Sequence, residues 1–242
     1  MLKCPGQDTR YWKPDDIFNL PCPVCDTAVE FLKTDSRRTC QNCGYTFRNP
    51  RLELGCAQWC AYAEECLGFG PEQALPDNEE GPLTEQLIAA MKGQFDNDYK
   101  RIAHALLVFE YARELLRAEG GDARVVIAAA LLHDVGIKEA EHKYGGDYQE
   151  RHEAEGAPIA RRIMANIGLG ETTIEQVCHI VANHHRSDEV DTLEFRIVWD
   201  ADALVNLLET QTNGAGKRPA EIVEKIFKTR TGKKKAYELL AN

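Results

Sequence analysis

The stretch Val125-Val126-Ile127-Ala128-Ala129-Ala130-Leu131-Leu132-His133-Asp134-Val135-Gly136 decides how the chain is read. Eight consecutive residues, Val125 to Leu132, are apolar without alternation, and Asp122 stands ahead of them where a helix N-cap is wanted. A helix that is apolar all round belongs in a core. This one ends on a histidine and a carboxylate, which are costly to bury unless they are paired or hold a metal. Gly136 then stops it. The stretch therefore predicts a central helix that carries a polar pair at its own end.

The flanking sequence supplies partners for that helix. Thr84 opens one with Leu87, Ile88, Met91 and Phe95 on a single face. A second runs from about Asp98 to Ala118, ended by Gly120-Gly121. Further helices are expected over about His152 to Ile167, from Thr172 or Thr173 through His184, and over about Leu193 to Leu208. A last one, from about Pro219, runs into a basic tail. Between Lys217 and Lys235 there are eight Lys or Arg and two Glu, read here as a solvated helix face. No strand alternation follows residue 82, so the main domain is expected to be all-α. Residues 71–82 are acidic and punctuated by Pro71, Pro76 and Pro82, which suits a linker. The expected division is 1–70, a linker over 71–82, and 83–242.

Upstream of that linker the informative residue is cysteine. Eight of the nine cysteines lie between Cys4 and Cys66, a density that favours metal binding over disulfides in a reducing compartment. Cys22-Pro23-Val24-Cys25 and Cys40-Gln41-Asn42-Cys43 are two knuckles separated by fourteen residues. A two-residue spacer lets both thiolates reach one tetrahedral ion, and two knuckles complete a four-sulfur shell. Val29 and Phe31 alternate as in a strand, and Tyr45 and Phe47 repeat the pattern. The segment resembles a zinc ribbon, with a structural zinc on Cys22, Cys25, Cys40 and Cys43. Cys4, Cys56, Cys60 and Cys66 are read as a second thiolate site, for zinc or an iron–sulfur cluster. Cys178 falls in an apolar helical pattern and is read as a core thiol.

The overall balance narrows the function classes. The net charge is −10, which argues against nucleic acid as a general partner. No apolar run approaches the roughly 20 residues of a membrane span. The first residues, Met1 to Gly6, carry no apolar stretch that would serve as a secretory signal. A cytoplasmic protein without a membrane partner is expected.

The histidines then define a constellation. His104 shares a helix face with Leu107, Val108 and Tyr111 and should point inward. His133-Asp134 and His184-His185 each end a helix, and Asp200-Ala201-Asp202 lies in a third that is otherwise apolar. Asp200 and Asp202 point about 200° apart on a helix, so only one can face a given site. Imidazoles with carboxylates suit zinc, iron, manganese or nickel.

Taken together, His104, then Leu131-Leu132-His133-Asp134-Val135-Gly136, then Asp202 in Ala201-Asp202-Ala203-Leu204 resemble the HD superfamily of metal-dependent phosphohydrolases. The resemblance covers about residues 95–210. His152, followed by Gly156, and the pair His184-His185 add the histidines of members that hold two metals. The resemblance implies an all-α HD-domain bundle, with a small zinc-ribbon-like module before it. It places His104, His133, Asp134 and Asp202 on a first metal, and His152, His184 and His185 on a second, with Asp134 bridging. Asp134 and His133 are its catalytic residues. Ala-Asp-x-Leu is what selects Asp202 over Asp200. His142 and His179 match nothing in the pattern.

The sequence departs from the HD-GYP cyclic-di-GMP phosphodiesterases. They carry a lysine three residues after the aspartate, where this chain has Ile137, and a Gly-Tyr-Pro element where it has Arg186-Ser187-Asp188. The expected activity is hydrolysis of a small phosphate ester, nucleotide or similar, with two divalent metals (iron, manganese, nickel, cobalt or zinc). Lys138 and Arg186 are candidates for neutralising phosphate charge. Two other readings are a di-iron oxygenase on the same site, and a non-catalytic regulatory or assembly protein that binds a protein partner through the ribbon.

Overall fold

The computed structural model describes residues 12–52, 81–186, 190–212 and 221–241. The chain divides into two compact units, Met1–Asp77 and Asn78–Asn242. The second proposed thiolate set, Cys4, Cys56, Cys60 and Cys66, lies outside the described residues.

In the first unit the two knuckles are built alike. The amide of Cys22 donates to Thr27 O and that of Asp26 to Cys22 O; the amide of Cys40 donates to Tyr45 O and that of Gly44 to Cys40 O. The residue after each second cysteine has positive φ, 57° at Asp26 and 77° at Gly44, which closes the turn. Each knuckle joins an antiparallel pair of strands. Strand β1 (Ile17–Pro21) pairs with β2 (Ala28–Leu32), and β3 (Arg37–Thr39) with β4 (Thr46–Arg48). The buried face is little more than Val29, Phe31, Tyr45 and Phe47, with Phe31 and Phe47 edge to face at 5.1 Å. A core this small does not hold a fold without a further tie. The pattern at Val29 and Phe31 does become strand, but β4 begins one residue after Tyr45, whose carbonyl is used to close its knuckle.

In the second unit every described element is helical. Helix α1 is Gly81–Phe95, α2 Tyr99–Glu119 and α3 Ala123–Leu132. Then come α4 (Ile137–Tyr144), a 3₁₀ turn (Gly145–Glu150), α5 (His152–Ile167) and α6 (Glu171–Val181). The series closes with α7 (Leu193–Thr212), α8 (Glu221–Ile226) and α9 (Arg230–Ala241). Asp98 caps α2 through the Arg101 amide, and Asp122 caps α3 through the amides of Arg124 and Val125. All eight residues from Val125 to Leu132 are buried. Helix α3 packs against α1, α2, α6 and α7, which makes it the centre of the bundle. At about 1.5–3 kcal/mol for each large aliphatic side chain buried, this one helix anchors the fold.

Four elements differ from expectation. Helix α1 is already formed at Gly81 and Pro82, ahead of Thr84 and inside the expected linker. Helix α4 was not foreseen, because Ile137 to Tyr144 offers only Ala140 to the interior. Helix α6 starts at Glu171 with Gly170 as its N-cap, ahead of Thr172 and Thr173. The last helix is two, because Thr229 interrupts it and caps α9: its hydroxyl accepts from the Gly232 amide. Three of the eight cations in the basic stretch have ion-pair partners within this unit, Lys233 on Glu224, Lys235 on Glu114 and Lys234 near Glu238. No described helix is long and apolar enough to cross a membrane.

Candidate metal centre

Five segments deliver polar groups to one place. His104 comes from α2, His133 and Asp134 from the turn after α3, and His152 from the first residue of α5. His184 and His185 follow α6, and Asp202 comes from α7. Asp134 lies at the centre. Its Oδ1 is 3.4 Å from both His152 Nε2 and His184 Nε2, and its Oδ2 is 3.3 Å from His133 Nε2 and 3.9 Å from His104 Nε2. Asp202 Oδ1 is 3.0 Å from His104 Nε2 and 3.8 Å from His133 Nε2.

The turn that carries Asp134 is placed by glycine. A Cβ on Gly136 would meet His152 O at 2.1 Å and the Gly156 amide nitrogen at 2.4 Å. The missing Cβ of Gly136 is what lets the backbone after α3 touch the start of α5 and so bring His152 to Asp134.

Three histidines are fixed by the same device. The Nδ1 of His133, His152 and His184 lies 2.9, 2.8 and 2.8 Å from the carbonyl of the residue three positions earlier, Ala130, Gln149 and Val181. A carbonyl only accepts, so each Nδ1 carries the proton, and in the neutral ring Nε2 keeps a bare lone pair. Those lone pairs converge. His152 Nε2 and His184 Nε2 are 3.3 Å apart, and His133 Nε2 is buried with no hydrogen-bond partner. Lone pairs and carboxylate oxygens gathered this closely repel unless a cation stands among them. Two sets of donor atoms suit such an ion: His104, His133 and Asp134, and Asp134, His152, His184 and His185. The residues fit metals.

The surrounding charge shapes each group. Burial works to lower His104, but hydrogen bonds to Asp202 and Glu209 overcome it and push its pKa up to about 10, so a cation bound at Nε2 would displace a proton there. Burial works to raise Asp134 and Asp202, yet their histidine neighbours hold both below the usual carboxylate range. His185 is the exposed member of this set, and desolvation of its inner side, with His184 beside it, still takes it down to about 4.

Asp200 and Asp202 part as their helical angle requires. Asp202 faces the histidines. Asp200 is fully buried on the other side, where it accepts from the amides of Lys228 and Thr229 and from the Thr229 hydroxyl at 2.7–2.8 Å. Lys138 and Arg186 do not meet the cluster through any described bond. The Lys138 ammonium donates to Phe95 O at the end of α1, and Arg186 Nε to Glu153 Oε2. His142 and His179 are exposed, and Cys178 is half-buried with its thiol on Ala157 O.

Sequence reasoning missed two carboxylates. Glu209 accepts from His104 Nδ1 at 3.0 Å, doing for that ring what a carbonyl does for the other three. Glu153 is buried and accepts from the His185 amide and from Arg186. Glu209 lies seven residues, two helical turns, after Asp202 and so on the same face of α7; that spacing was the available signal.

In the first unit, Cys22 Sγ is 3.6 Å from Cys43 Sγ, and Cys25 Sγ is 3.6 Å from Cys40 Sγ. Zinc–sulfur bonds of about 2.3 Å in a tetrahedron put sulfurs about 3.8 Å apart. The four thiols thus stand at the spacing of a closed zinc shell. Burial pushes Cys43 up to about 12. Cys25 is brought down to about 6 against its burial, by hydrogen bonds to Asn42 and Thr27.

The chain's likenesses agree with this geometry. Residues 101–207 match the HD domain family. The chain is 37% identical over 137 residues to Ribonuclease Y of Chloroflexus aurantiacus, covering 56% of this chain and 24% of that one. It is 28% identical over 171 residues to Ribonuclease Y of Campylobacter concisus, covering 68% and 30%. The chain thus spans less than a third of the length of these relatives. Among solved structures it is similar to a predicted HD superfamily hydrolase from an uncultured Thermotogales bacterium, with TM-score 0.50 and 24% identity, over 64% of this chain and 83% of that one. That likeness concerns the fold alone.

Proposed function

We propose that this chain, whose residues 101–207 match the HD domain family, is a metal-dependent hydrolase that cleaves a small phosphate ester at a binuclear His/Asp centre. The observation that carries the reading is the convergence of bare Nε2 lone pairs on the two oxygens of Asp134. His104, His133, Asp134 and Asp202 would hold one cation, and Asp134, His152, His184 and His185 the other. Bound there, divalent metals supply Lewis acidity toward phosphoryl oxygens and lower the pKa of coordinated water.

The chain's own residues do the rest. Asp134 ties the two halves together because its oxygens face different histidines. The carbonyls of Ala130, Gln149 and Val181 keep three rings in the tautomer that presents Nε2. Glu209 holds His104, and Glu153 holds the backbone of His185. Burial of His133, His152 and His184 keeps bulk water from competing for those nitrogens. Cys22, Cys25, Cys40 and Cys43 hold a structural zinc, and the ribbon they tie offers a surface for a protein partner.

The relatives' name raises RNA as a substrate. A net charge of −10 and the internal pairing of Lys233 and Lys235 favour a small ester over a polyanion. The test is a panel of phosphate mono- and diesters, run separately with manganese, iron, nickel and cobalt, on wild type, His133→Ala and Asp134→Ala. Both variants should lose turnover and helical-unit metal while keeping the ribbon ion. Wild-type turnover in either variant with any metal refutes the assignment.

A further inference from the structure

A cavity of about 190 Å³ opens directly beside the metal cluster, with His184, His185 and Asp202 at its inner end. Its walls are of another kind. Trp199 and Leu207 come from α7, Ile222, Val223 and Ile226 from α8, and Phe227 follows. Among the described residues no lysine or arginine lines it. An anion seated there would lose its water and find no counter-charge, so the walls select against a second phosphate or a carboxylate. An uncharged ring suits them: an apolar cavity of about 150 Å³ is already enough to take up benzene. Asn206 stands at the rim with an exposed side chain, the one neutral amide among the described lining residues. An amide both donates and accepts, which matches the polar edge of a heterocycle.

The outer wall is firmly set in place. Its residues 222–227 lie beyond the part of the chain that matches the HD family, residues 101–207. They are joined to α7 by the Trp199 indole, which donates to Ile226 O at 2.9 Å, and by Asp200, which takes three hydrogen bonds from Lys228 and Thr229. Gly232 allows the approach, since a Cβ there would stand 2.3 Å from Asp200 Oδ2. The buried carboxylate two residues from Asp202 thus fixes a wall opposite the reacting end of the site.

We propose that this cavity, walled by α7 and the C-terminal segment 222–227, is a specificity pocket for an uncharged ring on the substrate's alcohol portion, with the phosphate at the histidine end. The proposal rests on the phosphoester reading above and names the class of ester: a compact ring-bearing monophosphate, the ring being a nucleobase or a simple aryl group. The test is calorimetric binding to the metal-loaded full chain of inorganic phosphate, glycerol phosphate, phenyl phosphate, and adenosine and uridine 5′-monophosphates, with turnover of the esters measured in parallel. The wall variant is Ile226→Trp, a half-buried position whose side chain fills the cavity while its carbonyl still accepts from Trp199. The ring-bearing esters should bind at least about tenfold more tightly than glycerol phosphate, the scale of discrimination an apolar pocket gives. Ile226→Trp should abolish that preference and leave inorganic phosphate binding unchanged. Preference for phenyl phosphate alone assigns an aryl ring, and preference for a nucleotide assigns a base read through Asn206. Equal binding of ring-bearing and ringless esters, or a preference that survives Ile226→Trp, overturns the proposal. So does tight binding of a ribo-oligonucleotide that Ile226→Trp leaves unchanged. Binding with the ring preference but no turnover with any metal would instead refute the hydrolase reading and leave the pocket standing.

Discussion

Replacing Gly136 by alanine adds one methyl group at the point where the turn after α3 meets the start of α5. The new Cβ would lie 2.1 Å from His152 O, 2.4 Å from the Gly156 nitrogen and 2.7 Å from Gly156 Cα. All three neighbours are backbone, so no rotamer change relieves them. Contacts under 3.0 Å are essentially unseen for a real Cβ, and the two segments must open by about 1 Å. Overpacking in a core typically costs about 1–3 kcal/mol, and a backbone collision belongs at the upper end. For a unit of this size about 3 kcal/mol corresponds to a melting temperature about 6–12 °C lower. The same opening carries His152 away from Asp134, whose Oδ1 now stands 3.4 Å from His152 Nε2. Metal–ligand distances tolerate only about 0.2 Å, so on the binuclear proposal the cation of His152, His184 and His185 should be lost while the other remains. Calorimetry and elemental analysis of the purified protein read both effects. Gly146→Ala is the control, because nothing lies within 4 Å of its Cβ. If Gly136→Ala melts within about 2 °C of wild type and keeps two metals in the helical unit, the close approach does not hold the site together.

Asp202→Asn should empty the His104 and His133 half of the site, whereas Asp200→Asn should keep metal content near wild type and lower the melting temperature by loosening residues 228–229; elemental analysis showing the reverse would exchange the two roles. Glu209→Gln should weaken metal binding by about 10–100-fold, as losing a carboxylate behind a ligating imidazole does, and an unchanged metal titration would remove Glu209 from the site's support. A chain beginning at Gly81 should unfold cooperatively with helical circular dichroism, because all the described His/Asp cluster and the helical core lie beyond that point, and a non-cooperative melt would refute this independence.

What could be read in the sequence divides along a physical line. The stretch from Val125 to Gly136 was legible because eight apolar residues ending on His133-Asp134 have few other uses, and the knuckle spacing at Cys22 and Cys40 is similarly constrained. The choice of Asp202 over Asp200 came from a short motif, since both lie among apolar neighbours. Only the structure shows that Asp200 has its own partner in Thr229, twenty-nine residues on. That long-range contact also explains why the expected C-terminal helix breaks in two, since periodicity sees only local neighbours. Helix α4 escaped for the opposite reason: with Ala140 as its sole buried residue it has scarcely any apolar stripe. Glu153 and Glu209 were invisible as site residues because a lone acid on a helix is ordinarily a solvated one.

The shared histidine device ties the site to the helix ends that surround it. Carbonyls in the last turn of a helix have no intrahelical donor and need one from elsewhere. His133 is the C-cap of α3 and takes the carbonyl of Ala130; His184 stands three residues past α6 and takes that of Val181, its last residue. Each ring therefore satisfies an end carbonyl and is oriented by it in the same bond. The C-terminal end of a helix also carries roughly half a negative charge. Helices α3 and α6 thus direct negative ends at the place where Asp134 and Asp202 already concentrate negative charge. Such an arrangement raises the energy of the bare cluster and lowers that of a cluster holding cations. His104 lies inside α2, where no carbonyl is spare, and Glu209 supplies the acceptor there instead. The need for an external carboxylate at that one histidine follows from its position within a helix rather than at its end.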